Sequence, residues 1–324
     1  MNSQLSATPT EQNSTIVKPL GFYINGFHSL QNTHYYFIFL SFVYLATLLA
    51  NFLLMAIIWF VESLHTPKYL AIFSLSMVDV IYSTAIIPKA IDVFLFNSRF
   101  VFYGVCFTQL FFVHYFCGME SFTLAVLAYD RLVSICFPLR SNTINTNTRM
   151  IVIIAVTWII PFVFMVVTIF LLKRLSFCKS TAIESYFCDH GPVFVLACND
   201  NSPNWTNVYF YVVGIICVPL AFIIISYISI IISLLKIASA EGRRKAFKTC
   251  STHLTLVAIF YIPLLVTYII VLVKFRIDTD TRILNTSLSA TLPPLLNPII
   301  YTLKTEEILE QIKNFRKRMV NPMR

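Results

Sequence analysis

Charged residues are scarce in this 324-residue chain: Asp, Glu, Lys and Arg make up 12% of it, against 57% hydrophobic residues. Soluble domains carry about 25% charged residues, so too little polar surface is left to cover a water-soluble globule. Other absences narrow the reading. There is no HExxH pair, no Gly-rich phosphate loop and no nucleophile–base arrangement, which leaves an enzyme little to stand on. The net charge of +9 does not form a Lys/Arg stripe interleaved with aromatics, so nucleic acid is not an expected partner; the basic residues flank apolar runs instead. The polar opening residues lack a basic stretch followed by an apolar core, so they do not read as a cleaved signal peptide. No internal repeat or soluble domain is evident.

What the chain does have is apolar runs long enough to cross about 30 Å of hydrocarbon as helix. They fall at roughly 35–60, 69–94, 102–135, 150–172, 207–236, 246–273 and 283–303. The expected fold is all-α, a seven-transmembrane helix bundle. Residues 1–34 read as an extracellular tail, 35–304 as the membrane domain, and 305–324 as a cytoplasmic segment. Within that segment 305–318 sets Ile308, Ile312 and Phe315 at helical spacing beside Lys313, Arg316, Lys317 and Arg318. This is the pattern of a short amphipathic helix lying on the inner leaflet lipid. Loop cations fix the orientation. Lys68, Arg140, Arg149, Lys236, Arg243, Arg244, Lys245 and Lys248 collect on one side, while the other side carries Asp92, Glu184, Asp189, Asp200, Asp278 and Asp280. The Lys/Arg-rich side is cytoplasmic, so the N-terminus lies outside, the C-terminus inside, and the number of spans is odd. A transporter would bring more spans, inverted repeats or paired broken helices, although buried carboxylates alone do not exclude one.

The acceptor sequons Asn13-Ser14-Thr15 and Asn204-Trp205-Thr206 fall on the expected outer side, as candidate glycosylation sites. Asn285-Thr286-Ser287 matches too but sits at the mouth of the seventh span and is expected to stay unused. Cys106, Cys178, Cys188 and Cys198 also lie outside, where disulfides persist. Four cysteines allow three connectivities, and spacing does not choose among them. A zinc site competes weakly, because the count is even and no His/Cys cluster adjoins. Cys117 and Cys217 sit in spans, and Cys136 and Cys250 face the cytosol as free thiols.

Four windows then carry a specific signal. Leu127 to Arg140 contains Ala128-Tyr129-Asp130-Arg131, followed by Ser134-Ile135-Cys136-Phe137-Pro138-Leu139. The others are Leu64-His65-Thr66-Pro67-Lys68-Tyr69, the stretch Ser239 to Leu254 with Lys245-Ala246-Phe247-Lys248-Thr249-Cys250, and Pro294-Leu295-Leu296-Asn297-Pro298-Ile299-Ile300-Tyr301. In order and spacing they resemble the vertebrate odorant receptor family of rhodopsin-like G-protein-coupled receptors, over roughly residues 20–310. Lys68, Leu132, Ala50 and Ser141-Asn142 depart from the family pattern. Phe260-Tyr261-Ile262-Pro263 is similar to the form typical of its fish-like class I branch.

The resemblance implies a plasma-membrane receptor that binds a small-molecule odorant and activates a stimulatory heterotrimeric G protein. The alternative is a non-olfactory small-molecule receptor of the same fold. It implies a switch in which Asp130 holds Arg131 until activation, with Tyr227, Asn297, Pro298 and Tyr301 as partners. It implies Cys106–Cys188 and Cys178–Cys198 pairing. Pro161, Pro219, Pro263 and Pro298 kink their helices, and Pro88 is expected to serve packing. Glu120 lies 11 residues before Arg131, about 16 Å along the helix, so it and Asp79 both sit near mid-membrane. Two ionised carboxylates there are untenable without a shared proton or a bridging cation. With Asn51 and Asn297 they form a candidate Na⁺ site, or a polar network that only fixes packing; no other cofactor is expected. By the same resemblance the ligand pocket takes Leu110, Val113, His114, Cys117 and Gly118 from the third span and Tyr261, Leu264 and Tyr268 from the sixth. Val113 stands where amine receptors carry an aspartate, which argues against a cationic amine. His114 is a candidate for recognising an acceptor or an acid, and Lys274 and Arg276 for attracting carboxylates.

Overall fold

A computed structural model describes residues 16–27, 33–178, 180–236, 240–273, 277–305 and 307–313. Asn13, Lys274, Arg276 and the stretch Phe315 to Arg318 lie outside the described residues. Among those described, seven long helices run α1 (Thr33–Phe60), α2 (Pro67–Leu95), α3 (Tyr103–Cys136), α4 (Asn147–Lys173), α5 (Ser202–Leu235), α6 (Ala240–Leu272) and α7 (Thr279–Lys304). The expected spans fall on them. The helices α5 and α6 begin earlier than the apolar runs because their first turns are polar. Sequence-local signals open several of them. Pro67 sits in the first turn of α2, Thr146 accepts the Arg149 N–H at 3.3 Å to cap α4, and Asp278 caps α7 through the Thr281 N–H at 3.1 Å.

Six of these helices are long and apolar enough to cross a membrane. The exception, α7, has 26 residues but carries three internal prolines and turns Ser287, Ser289, Thr291 and Asn297 into the bundle. The axis of the bundle is α3: 78% of its most apolar stretch is buried, against 17% for α4. Accordingly α4 presents Ile151, Val156, Phe162, Val166 and Phe170 outward, an apolar face suited to lipid.

The purely helical expectation needs one correction. Residues inside the supposed tail form a strand, β1 (Gly21–Ile24), which pairs antiparallel with β2 (Phe100–Phe102) and parallel with β3 (Ala182–Ile183). The cause is a small apolar core on the outer face. Phe22 and Ile24 are fully buried, and Phe22 meets Tyr103, Phe107 and Phe177 in ring contacts. Four residues were too few to register as an element in a polar segment. On the opposite face residues 307–313 are helical. Ile308 is buried, and Glu307 accepts from the Tyr69 hydroxyl at 2.6 Å and from Lys68 Nζ at 2.9 Å. Lys68, one of the departures from the family pattern, thus ties the C-terminal segment to α2.

Gly21 has no room for a side chain, since a Cβ there would lie 2.3 Å from the Val101 carbonyl oxygen. Gly21→Val is therefore expected to destabilise the outer cap by about 1–3 kcal/mol. The check is the melting temperature of the purified receptor; an unchanged value would show that the strand contributes nothing to stability.

Candidate functional site

Three clusters along the bundle carry the polar chemistry. On the outer side Cys106, two turns before His114 on α3, is bonded to Cys188, and Cys178 to Cys198. The Cys188 N–H also donates to Gln109 Oε1 at 3.1 Å. Two anchors on one residue hold the loop over the bundle, and beneath it lies a cavity of about 650 Å³. Val113, His114, Cys117, Leu264 and Tyr268 line it. Three expected lining residues do not. Leu110 is fully buried, its carbonyl receiving His114 Nδ1–H at 3.1 Å. Gly118 is where α3 meets its neighbours: a Cβ would lie 2.8 Å from Ile215 and 3.2 Å from Pro161. Tyr261 lies a turn deeper on α6 than Leu264, its hydroxyl 2.8 Å from that of Ser121.

The loop and α5 supply lining that sequence reasoning missed. Tyr211 lines the cavity and donates its hydroxyl to the His114 carbonyl at 2.8 Å. Asp189 and His190 reach in from the loop, with Asp189 Oδ1 at 3.3 Å from His114 Nε2. Burial pushes the Asp189 carboxyl up, but the His114 hydrogen bond and charge, with Arg282 behind them, prevail and hold it below the ordinary carboxylate range. Burial and the neighbouring His114 lower His190 to about 3, against the pull of Asp189. A signal for both residues did exist: they follow directly on the cysteine that the family resemblance ties to α3.

In mid-membrane the Asn297 amide donates to both oxygens of Asp79, at 3.1 Å each, and to Glu120 Oε1 at 3.3 Å. All three are buried, and Glu120 Oε2 has no partner among the described residues. Asn51 does not bond these carboxylates; its amide donates to the Thr47 and Pro294 carbonyls, both at 2.9 Å. The reason is local. Pro298 has no N–H to offer the carbonyl four residues back, Pro294, and Asn51 supplies the missing donor. The same logic holds in α5, where Pro219 leaves the Ile215 carbonyl short and Ser121 Oγ donates to it at 2.8 Å. That carbonyl sits in a widened i→i+5 stretch, Val212–Cys217, a distortion that is common at functional positions.

At the cytoplasmic end Arg131 Nη1 lies 3.9 Å from Asp130 Oδ2, and Asn145 Nδ2 donates to Asp130 Oδ1 at 2.9 Å. Asn145 was not anticipated. Tyr227 is hydrogen-bonded to His253 Nδ1 at 2.9 Å, and His253 Nε2 donates to the Leu124 carbonyl at 3.1 Å. This single ring thus joins α5, α6 and α3. The Tyr301 hydroxyl is buried without a partner among the described residues. Asn204 of the second sequon is 0% exposed, because Ser202-Pro203 start α5 and the first turn faces Asn204 inward. Asn285 is committed, donating to the Pro263 carbonyl at 3.0 Å and to Thr267 Oγ1 at 2.8 Å.

Comparison with known proteins agrees with this architecture. A family model described as Olfactory receptor matches residues 40–318. The chain is 37% identical to olfactory receptor 4E2 of Mus musculus over 295 residues, covering 88% of this chain and 91% of that protein. It is 36% identical to olfactory receptor 51F2 of Homo sapiens over 302 residues, with 93% and 88% covered. The crystal structure of squid rhodopsin superposes with a TM-score of 0.72 over 92% of this chain and 89% of that one; at 16% identity this speaks to fold alone.

Two outcomes follow from the geometry. Replacing Asn297 by Leu leaves buried carboxylates without their shared donor and is expected to cost on the order of 2 kcal/mol, read as a lower melting temperature; an unchanged melt would mean that the amide is not their partner. His190 stays neutral in the fold, near 3, but takes up a proton when unfolded, through about 6.5. Unfolded chains then bind more protons, so stability should fall as pH drops from about 7 to 5. His190→Phe should flatten that decline, and an identical pH profile in the variant would count against a neutral His190.

Proposed function

This chain belongs to the olfactory receptor family, an odorant-binding, seven-helix receptor of the plasma membrane, and we propose that it answers a small odorant by activating a stimulatory heterotrimeric G protein. The observation that supports this reading most is continuity. One helix, α3, carries His114 in the outer cavity, Glu120 in the mid-membrane cluster and Asp130-Arg131 at the cytoplasmic end. A displacement felt at the cavity reaches the cytoplasm along a single rigid element.

The odorant occupies the outer cavity, whose mostly apolar wall with a few hydrogen-bonding groups suits a small molecule. Arg131 is the cation that meets the G protein, and Asp130 restrains it beforehand, itself steadied by Asn145. Movement of α6 needs the Tyr227–His253–Leu124 bridge to open, and Pro263 gives α6 a position at which to bend. Release of that bridge frees Tyr227 to turn inward beside Tyr301.

In mid-membrane Asp79 and Glu120 would hold Na⁺, or share one proton, in the resting receptor. Their two carboxylates, with Glu120 Oε2 unpartnered among the described residues, are oxygen donors of the kind a hard cation takes. Such a cation would supply the positive charge that both carboxylates need in hydrocarbon.

Cells expressing the receptor with an olfactory-type stimulatory G protein, exposed to an odorant panel, are expected to raise cAMP. Ligand flux across receptor vesicles without nucleotide exchange would favour a transporter instead. Arg131→Ala, at equal surface expression, is expected to abolish the evoked response, and a preserved response would sink the switch assignment. Glu120→Gln and replacement of Na⁺ are each expected to change basal signalling; the ion-or-proton reading fails if neither does.

A further inference from the structure

The roof of the outer cavity differs in chemistry from its walls. Val113, Met165 and Leu264 make apolar walls, whereas the roof brings Glu184, Asp189 and His190 from the loop. That roof is held in place. Cys188 is bonded to Cys106 and its N–H to Gln109, and the next residue, Asp189, receives the Val193 N–H on its carbonyl at 3.0 Å as the short helix His190–Phe194 begins. A ligand must fit this roof as it stands.

Its charges are already matched. The His114 ring faces two acceptors, the Asp189 carboxylate through Nε2 and the Leu110 carbonyl through Nδ1, an arrangement that a doubly protonated ring satisfies. Arg282 donates to the Glu184 carbonyl at 2.6 Å and stands near Asp189 as well. A ligand carboxylate would meet Asp189 and Glu184, and a ligand ammonium would meet Arg282 and His114. Burying a charge without a matched partner is expensive, so neither sign is welcome. What is left unsatisfied is a neutral atom: His190 Nε2, on a residue only 6% exposed, has no partner among the described residues. Beside it Asp189 can accept but not donate. A hydroxyl suits both, giving its hydrogen to the carboxylate and exchanging a hydrogen bond with the imidazole through its oxygen. A carbonyl lacks the donor.

Resting on the reading of this cavity as the odorant site, we propose that Asp189 and His190 form a hydroxyl subsite that selects neutral alcohols and phenols over carboxylic acids and amines of the same carbon skeleton. Of the two partners expected for His114, an acceptor or an acid, this leaves out the acid, since the loop sets its own carboxylate, Asp189, against that ring.

The test uses the full-length receptor and matched sets of alcohol, carboxylic acid, amine and aldehyde on straight-chain, phenylethyl and monoterpene skeletons. Binding is read as a melting shift of purified receptor, and signalling as cAMP in cells. On at least one skeleton the alcohol is expected to act at concentrations about tenfold lower than its acid or amine. Asp189→Asn should narrow the gap between alcohol and acid, because the amide both donates and accepts. His190→Phe should weaken the alcohol, and His190→Gln, which keeps hydrogen-bonding capacity, should weaken it less, all at measured surface expression. No alcohol advantage in the melting shift, silence of every alcohol included, overturns the proposal. A melting shift led by alcohols without cAMP leaves the subsite standing and removes the signalling reading; cAMP led by acids or amines does the reverse.

Discussion

Hydrocarbon offers no hydrogen-bond partner, and this one constraint arranges most of the interior of the molecule. Most polar groups within the bundle find their partner on another helix or on their own backbone, and the exceptions, such as Glu120 Oε2 and the Tyr301 hydroxyl, lie in the central and cytoplasmic clusters. Prolines sharpen the demand by taking away a donor. Pro298 leaves the Pro294 carbonyl to Asn51, and Pro219 leaves the Ile215 carbonyl to Ser121. The kinks that let these helices bend are therefore also the points at which side chains from α1 and α3 grip them. The Asn297 amide between Asp79 and Glu120 is the same rule applied to carboxylates. Because α3 lies at the axis, it reaches more of these contacts than any lipid-facing helix does, and that position lets it link the cavity to the cytoplasmic end.

The outer face is governed differently. There the chain has water available, and order comes from covalent anchoring and a small aromatic core. Cys188 pins the loop to α3, β1 slides between β2 and β3, and the buried Phe22 and Ile24 reward that insertion with apolar contact. The result is a roof whose polar side chains are set before any ligand arrives. Pre-set groups discriminate by what they leave unsatisfied, and here the unsatisfied atom is a neutral nitrogen.

How much of this was legible beforehand varied with the range of the interaction. The seven spans rest on local hydropathy, and the long helices fell where expected apart from polar first turns, while their orientation rests on loop charge. Arg131 and Asp130 were legible as neighbours in sequence, and Asp79, Glu120 and Asn297 as isolated polar residues in apolar runs. Asn145 was not, because nothing in a polar loop distinguishes the one amide that folds back 15 residues onto a carboxylate. The burial of Asn204 was hidden for a related reason: a sequon specifies three residue types, whereas the face a helix turn presents is set by packing.

What the sequence by itself determined is the membrane-spanning class, the topology and the family, since these follow from composition, charge asymmetry and motifs read along the chain. Only the tertiary structure decided which polar atoms meet. It set Asn51 on a proline-freed carbonyl rather than on the carboxylates, took Gly118 and Tyr261 out of the cavity wall, and brought Asp189 and His190 into it. The physical reason is that a hydrogen bond is decided over a few tenths of an ångström and a narrow range of angles. Residue type and spacing along the chain define which groups need partners, while the packing of kinked helices defines which partner each one reaches.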